Sequence, residues 1–127
     1  VFVSAAGNDS LSSPDYPAKL ADELGIAVGS VEGNGKFSSF SNKAGNQPLD
    51  YVVAPGGDGF PKDAGDIYAP VPPSITGNLY SFFTGTSMAT PYVTGVVALI
   101  KQANPNLSVE AIENIIINTA NSVVVIV

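Results

Sequence analysis

The chain has 127 residues, 45% of them hydrophobic and 13% charged, which is enough apolar material for one compact core and not for two. Five basic residues against eleven acidic ones give a net charge of −6, so no dense basic surface is available to neutralise phosphates, and nucleic-acid binding is disfavoured. Cysteine and histidine are both absent, which excludes disulfides, thiolate nucleophiles, Cys- or His-ligated zinc and the commonest general base. No apolar run approaches the roughly 20 residues of a membrane-spanning helix, and no membrane partner is expected.

Residues 1–6 form a short apolar run ended by Gly7-Asn8-Asp9. This pattern predicts a buried parallel strand that delivers a polar loop at its C-terminal end, as in a segment excised from a longer sheet. Ser, Pro and Asp dominate residues 10–17, and residues 18–24 are briefly compatible with a helix before Gly25. The β-branched stretch 26–31 predicts a second strand. The turn Glu32-Gly33-Asn34-Gly35 then returns residues 36–40 as an antiparallel hairpin arm. Residues 51–54 read as a third buried strand, followed by a Pro/Gly/Asp-rich surface loop to Asn78 with little regular structure beyond residues 66–69.

Residues 79–84 predict a strand rich in aromatics, and Gly85-Thr86-Ser87 switches the pattern abruptly to a helix over 87–103. Val93, Val96, Val97 and Ile100 give that helix its buried face, and Pro91 costs little so near its start. After Asn104-Pro105, Ser108 caps a second helix whose stripe is Ile112, Ile115, Ile116 and Thr119. The uncharged run 123–127 makes a risky free edge unless another segment covers it.

A strand, a tight Gly-Thr turn and a Ser opening a buried helix present a hydroxyl where the helix dipole favours an anion. Gly85-Thr86-Ser87-Met88-Ala89 approaches the nucleophile-elbow pattern, with Ala89 in place of the second Gly. On these five residues alone, Thr86 and Ser87 could equally be plain helix caps, and Asn8 a plain turn residue.

The longer string Gly85-Thr86-Ser87-Met88-Ala89-Thr90-Pro91, with Val93, Gly95 and Ala98, resembles the nucleophile segment of subtilisin-like serine proteases. Ser4-Ala5-Ala6-Gly7-Asn8-Asp9, Tyr16-Pro17-Ala18, and Ser38-Ser39-Phe40-Ser41-Asn42 leading to Val53-Ala54-Pro55-Gly56 occur in the order of that family. The resemblance implies an α/β fold, part of a three-layer α/β/α sandwich with a mostly parallel sheet. Residues 1–127 would be the C-terminal portion of one catalytic domain. It implies that Ser87 is the nucleophile of a serine endopeptidase and that Asn8 donates its side-chain amide to the oxyanion. Ala5, Ala6 and Gly7 would line a wall of the pocket for the residue before the scissile bond, with reachable backbone groups. Asp9 and Asp15 would stand at its floor or rim and favour basic or polar side chains, or else remain solvated loop acids.

The resemblance requires no cofactor. It allows a weak calcium site near the carbonyls of residues 18–22, although Asp58, Asp63 and Asp66 form no complete calcium loop and no metal ligands are assigned. A peptide or protein is the implied substrate, and an extracellular or cell-envelope location is the family's habit. The Asp and His of the family's triad have no counterpart here, since the chain holds no His at all. The chain alone is therefore expected to be inactive, needing a missing N-terminal half or a self-association partner. The alternative functions are a non-catalytic peptide-binding or scaffolding relative and an esterase-like hydrolase.

Overall fold

The computed structural model describes residues 1–59 and 65–121. Three strands, β1 (Val3–Ala5), β2 (Ile26–Val31) and β3 (Tyr51–Pro55), form a sheet in that order, with both pairings parallel. A two-stranded antiparallel ribbon follows, made of β4 (Ile67–Pro70) and β5 (Tyr80–Phe83) and joined through the short helix α1 (Pro73–Thr76). Two longer helices complete the described chain, α2 (Thr86–Ala103) and α3 (Val109–Thr119).

β2 is the axis of the core, every one of its residues being buried, as a β-branched strand paired on both edges requires. Ile26 and Val28 join Val52, Ala54, Ala89, Val93, Ile112 and Ile116 in one cluster, so α2 and α3 cover one face of the sheet. On the other face Ala27 packs on Ala18 and Ala21. Among the described residues the helical structure on that face is a 3-10 turn, Ala18–Leu20, with Leu49 and Tyr51 packed beside it. Each fully buried Ile or Val contributes about 1.5–3 kcal/mol, so this cluster positions the ends of the strands.

Three expectations change. The arm at 36–40 shrinks to an isolated antiparallel bridge between Val31 and Phe37, because β2 is open only at its end beyond Val28, where β1 stops, and there the Ser30 N–H goes to the Ser41 hydroxyl and not to the arm's backbone. In the stretch read as a surface loop, the set-apart residues 66–69 overlap β4 and α1 is an addition, β4 pairing with β5. Its ribbon is held by Tyr68, whose ring centroid lies 4.7 Å from that of Phe82 directly opposite and 5.6 Å from that of Tyr80. In α3 only Ile112 and Ile116 are buried, whereas Ile115 is 37% exposed and Thr119 is exposed. In α2 Val96 is likewise 45% exposed, and the buried stripe runs through Ala89 and Val93 to the half-buried Val97 and Ile100. Residues 123–127 and Asp63 lie outside the described residues.

Candidate active site

The strand-to-helix switch is built at Gly85, whose φ of +143° favours a residue without a Cβ, and whose N–H donates to Gly56 O at 2.8 Å. α2 then starts at Thr86, one residue earlier than the sequence suggests, with no capping side chain from its own flank. The cap comes from 78 residues away: Asn8 Oδ1 accepts from the Thr86 N–H at 2.9 Å and from the Thr86 hydroxyl at 3.0 Å. Thr86, fully buried, in turn accepts from the Gly7 N–H at 3.3 Å. Because both Thr86 groups donate, the atom of Asn8 that faces them must be its oxygen, and its Nδ2 is turned away from them.

Ser87 follows as the second helical residue and is exposed. It borders an open cleft of about 480 Å³ together with Ala5, Thr90, Pro91 and Thr94. Pro91 has no N–H to give to the carbonyl four residues back, so the Ser87 carbonyl lacks its helical partner, while Thr90 Oγ1 donates to Thr86 O at 2.8 Å. The structure thus brings Ser87, Thr86, Asn8, Gly7 and Ala5 to one place: the C-terminal end of β1 and the N-terminal end of α2.

Ala6 differs from its expected role. It is fully buried, its N–H donates to Val28 O at 2.9 Å, and its carbonyl accepts from Asp15 N at 2.9 Å and Asn42 Nδ2 at 3.1 Å. Its backbone is taken up by the sheet and the loop, which leaves no free donor for a substrate. Asp9 and Asp15 are both exposed and do not line the cleft beside Ser87. They gather instead around Asn42, which accepts from the Asp9 N–H at 3.0 Å and donates to Asp15 Oδ2 at 3.1 Å.

Thr86 and Asn42 are the site residues that sequence reasoning passed over. Both stand inside the quoted motifs, yet their partners lie 27 to 79 positions away, and no local pattern encodes such pairings. Behind Asn42, the Tyr51 hydroxyl donates to its carbonyl at 2.7 Å, crossing β2 over Gly29, where any Cβ would collide with that hydroxyl. Burial pushes the Tyr51 phenol up to about 12, partly offset by its hydrogen bond with Ser41. No group of three or more Asp, Glu, His or Cys side chains that could hold a metal ion occurs among the described residues. Nor is any described helix long and apolar enough to cross a membrane.

Comparison with known proteins decides the family, since the model of the subtilase family matches residues 1–125. The chain belongs to the subtilase family. Over 122 residues it is 40% identical to subtilisin BL of Lederbergia lenta, covering 96% of this chain and 39% of that protein. Alkaline elastase YaB of Bacillus sp. strain YaB is 38% identical, over 96% of this chain and 28% of its own length. Among solved structures, a protease of Pseudoalteromonas arctica PAMC 21717 superposes with a TM-score of 0.78 at 35% identity, covering 94% of this chain and 35% of that one. The patellamide maturation protease PatG gives a TM-score of 0.71 at 32% identity, over 92% and 34% of the two chains. The subtilase chain described here therefore has an α/β subtilisin fold and spans about two-fifths or less of these relatives.

Proposed function

We propose that this chain supplies the nucleophile and the oxyanion site of a serine endopeptidase, with Ser87 forming an acyl-enzyme and Asn8 Nδ2 stabilising the tetrahedral oxyanion. The observation that carries this reading is the bonding of the Asn8 carboxamide. Its oxygen is committed to Thr86, the residue before Ser87, at 2.9 and 3.0 Å, so its amide is fixed in direction and faces away from Thr86. A donor fixed before charge develops needs no reorganisation when the carbonyl oxygen becomes anionic. The Ser87 N–H, at the start of α2, is the second donor.

Ser87 attacks the peptide carbonyl, its proton passes to a base, and the leaving amine takes a proton as the acyl-enzyme forms. No His is present to be that base. The base and its orienting carboxylate are assigned to polypeptide outside these 127 residues, either a preceding portion or a partner, and the chain alone is inactive. Ala5 and Gly7 form the near wall for the residue before the scissile bond; Asp9 and Asp15 stand off the cleft around Asn42, and their exposed carboxylates favour a basic or polar substrate side chain long enough to reach them. The reaction needs no cofactor in this reading. Any calcium would act on stability, and the family's habit points to work outside the cytoplasm. A non-cleaving peptide-binding role is the second reading, favoured by the missing His.

A fluorophosphonate probe tests the assignment. Ser87 should be labelled slowly in the isolated chain and fast once a subtilisin N-terminal portion carrying Asp and His is supplied. The Asn8→Ala chain should gain little from that addition. Fast labelling of the isolated chain, or complemented labelling that ignores Asn8, rejects the proposal. In the complemented protein Asp15→Asn should lower kcat/KM for Lys-directed cleavage relative to Phe, and an unchanged ratio removes Asp15 from the pocket.

A further inference from the structure

Asn42 is fully buried and spends its side-chain amide and its backbone N–H on the loop that carries Asn8. Its Oδ1 accepts from the Asp9 N–H at 3.0 Å and the Leu11 N–H at 2.9 Å. Its Nδ2 donates to Ala6 O and Asp15 Oδ2, both at 3.1 Å, and its backbone N–H donates to Gly7 O at 3.0 Å. These partners, residues 6, 7, 9, 11 and 15, bracket Asn8 on both sides without touching it. The Asn42 carbonyl is itself held, by the Tyr51 hydroxyl at 2.7 Å and the Ser41 hydroxyl at 3.2 Å. A side chain that only filled space would not need two donors and two acceptor sites all satisfied in an apolar setting, where a half-satisfied amide is costly.

From this geometry we infer that Asn42 is a positioning residue. It fixes the path of residues 6–11, and through that path the direction in which Asn8 presents its amide. It also ties the Asp15 carboxylate to the same brace. The inference rests on the role proposed above for Asn8, but its test reads orientation and not turnover.

The test uses the 127-residue chain with ¹⁵N-labelled side-chain amides. The Asn8 Nδ2 proton pair serves as the reporter, assigned by its loss in Asn8→Ala. Asn42→Ala deletes the brace. Asn42→Asp keeps its shape and its acceptors for Asp9 and Leu11 but sets an oxygen against Ala6 O and Asp15. In both variants the Asn8 pair should shift and lose its rigid-limit order, while amides of β2 and α3 stay in place. Ile116→Ala is the control for simple destabilisation. Its side chain is buried in the core cluster on α3, away from residues 6–15, and its loss should lower the melting temperature and leave the Asn8 pair unmoved. Folded Asn42 variants with the parent's Asn8 signals overturn the inference. So does failure of both variants to fold, which would make Asn42 a residue of the fold and not of the site. If Asn8 shifts yet complemented labelling proves independent of Asn8, the brace stands and the oxyanion reading falls.

Discussion

Tyr51 gives the fold a measurable sensitivity to alkali. Its ring lies against the small-residue cluster of Ala18, Ala21 and Ala27, and its hydroxyl donates to the Asn42 carbonyl at 2.7 Å. The phenolate cannot make that donation, and burial disfavours its charge, so the folded value is raised to about 12 from 10.0. For a group that is neutral when protonated, a raised folded value means that the unfolded chain loses its proton first. The stabilisation is complete below pH ~10, is lost as pH rises toward ~12, and reaches its floor above that. The gap between the two values corresponds to ~2.7 kcal/mol, and solvent reaching part of the ring reduces this to ~1–2 kcal/mol. Tyr51→Phe removes one hydrogen bond and leaves the Asn42 carbonyl with Ser41 alone, a cost of ~1 kcal/mol at pH 8. Urea unfolding of both chains at pH 8, 10, 11 and 12 isolates this group, because every other titration cancels in the difference. The parent's advantage at pH 8 should vanish or reverse by pH 12. A difference that stays constant across the range refutes the argument.

Three further outcomes follow from packing and bonding. Gly7→Ala places a Cβ against Asn42 Nδ2 and 2.5 Å from Asp15 Oδ2 at a φ of +108°, so denaturant unfolding should show a loss of at least ~1–3 kcal/mol. Thr86→Val removes the hydroxyl that joins the Gly7 N–H to Asn8 Oδ1 in a fully buried position. It should cost ~1–3 kcal/mol in the same assay and slow complemented labelling of Ser87, while Ser87→Ala leaves stability unchanged. Ile116→Ala, cutting a side chain 7% exposed, should cost ~2–4 kcal/mol, and Ile115→Ala, at 37% exposed, less than half of that. Equal losses would contradict the narrow stripe seen on α3.

The parallel strands and the two long helices were legible because each is written in local periodicity: β-branched runs for β2 and β3, a 3.6-residue stripe for α2 and α3. Competition for partners was not legible. Residues 36–40 have a hairpin's pattern, yet they can pair only with the end of β2 beyond Val28, where β1 stops and where the Ser41 hydroxyl takes the Ser30 N–H. Residues 66–69 and 79–84 stood out locally, but their pairing as a ribbon did not. Pro70, Pro72 and Pro73 mark a loop locally, whereas its support is the cross-strand packing of Tyr68 on Phe82 and Tyr80. Of the site, Ser87 and Asn8 could be singled out through the motifs that surround them. Thr86 and Asn42 could not, since what they do depends on partners brought near by the sheet. Ala6 shows the opposite error: a small residue next to a functional loop suggests an open wall, but its burial and its three backbone bonds make it part of the foundation.

The distribution of these bonds separates two jobs usually assigned to one site. On the proposed reading, the oxyanion donor is oriented by β1, the turn at Gly85 and Asn42, which lie within the chain and are cross-tied through Asn8 and Thr86. Activating Ser87 requires a base that the composition does not contain. On that reading, electrostatic stabilisation of the tetrahedral anion and proton removal would reside in physically separable parts. The first can be rigid before the second arrives, because none of its bonds passes through a histidine. A half-site of this kind should react weakly with an electrophile that needs no proton transfer to leave, and should show its full rate only when the base is docked against the exposed Ser87. Complementation would then change the labelling rate constant far more than the orientation of Asn8, which is why the two measurements proposed above can disagree and still be informative.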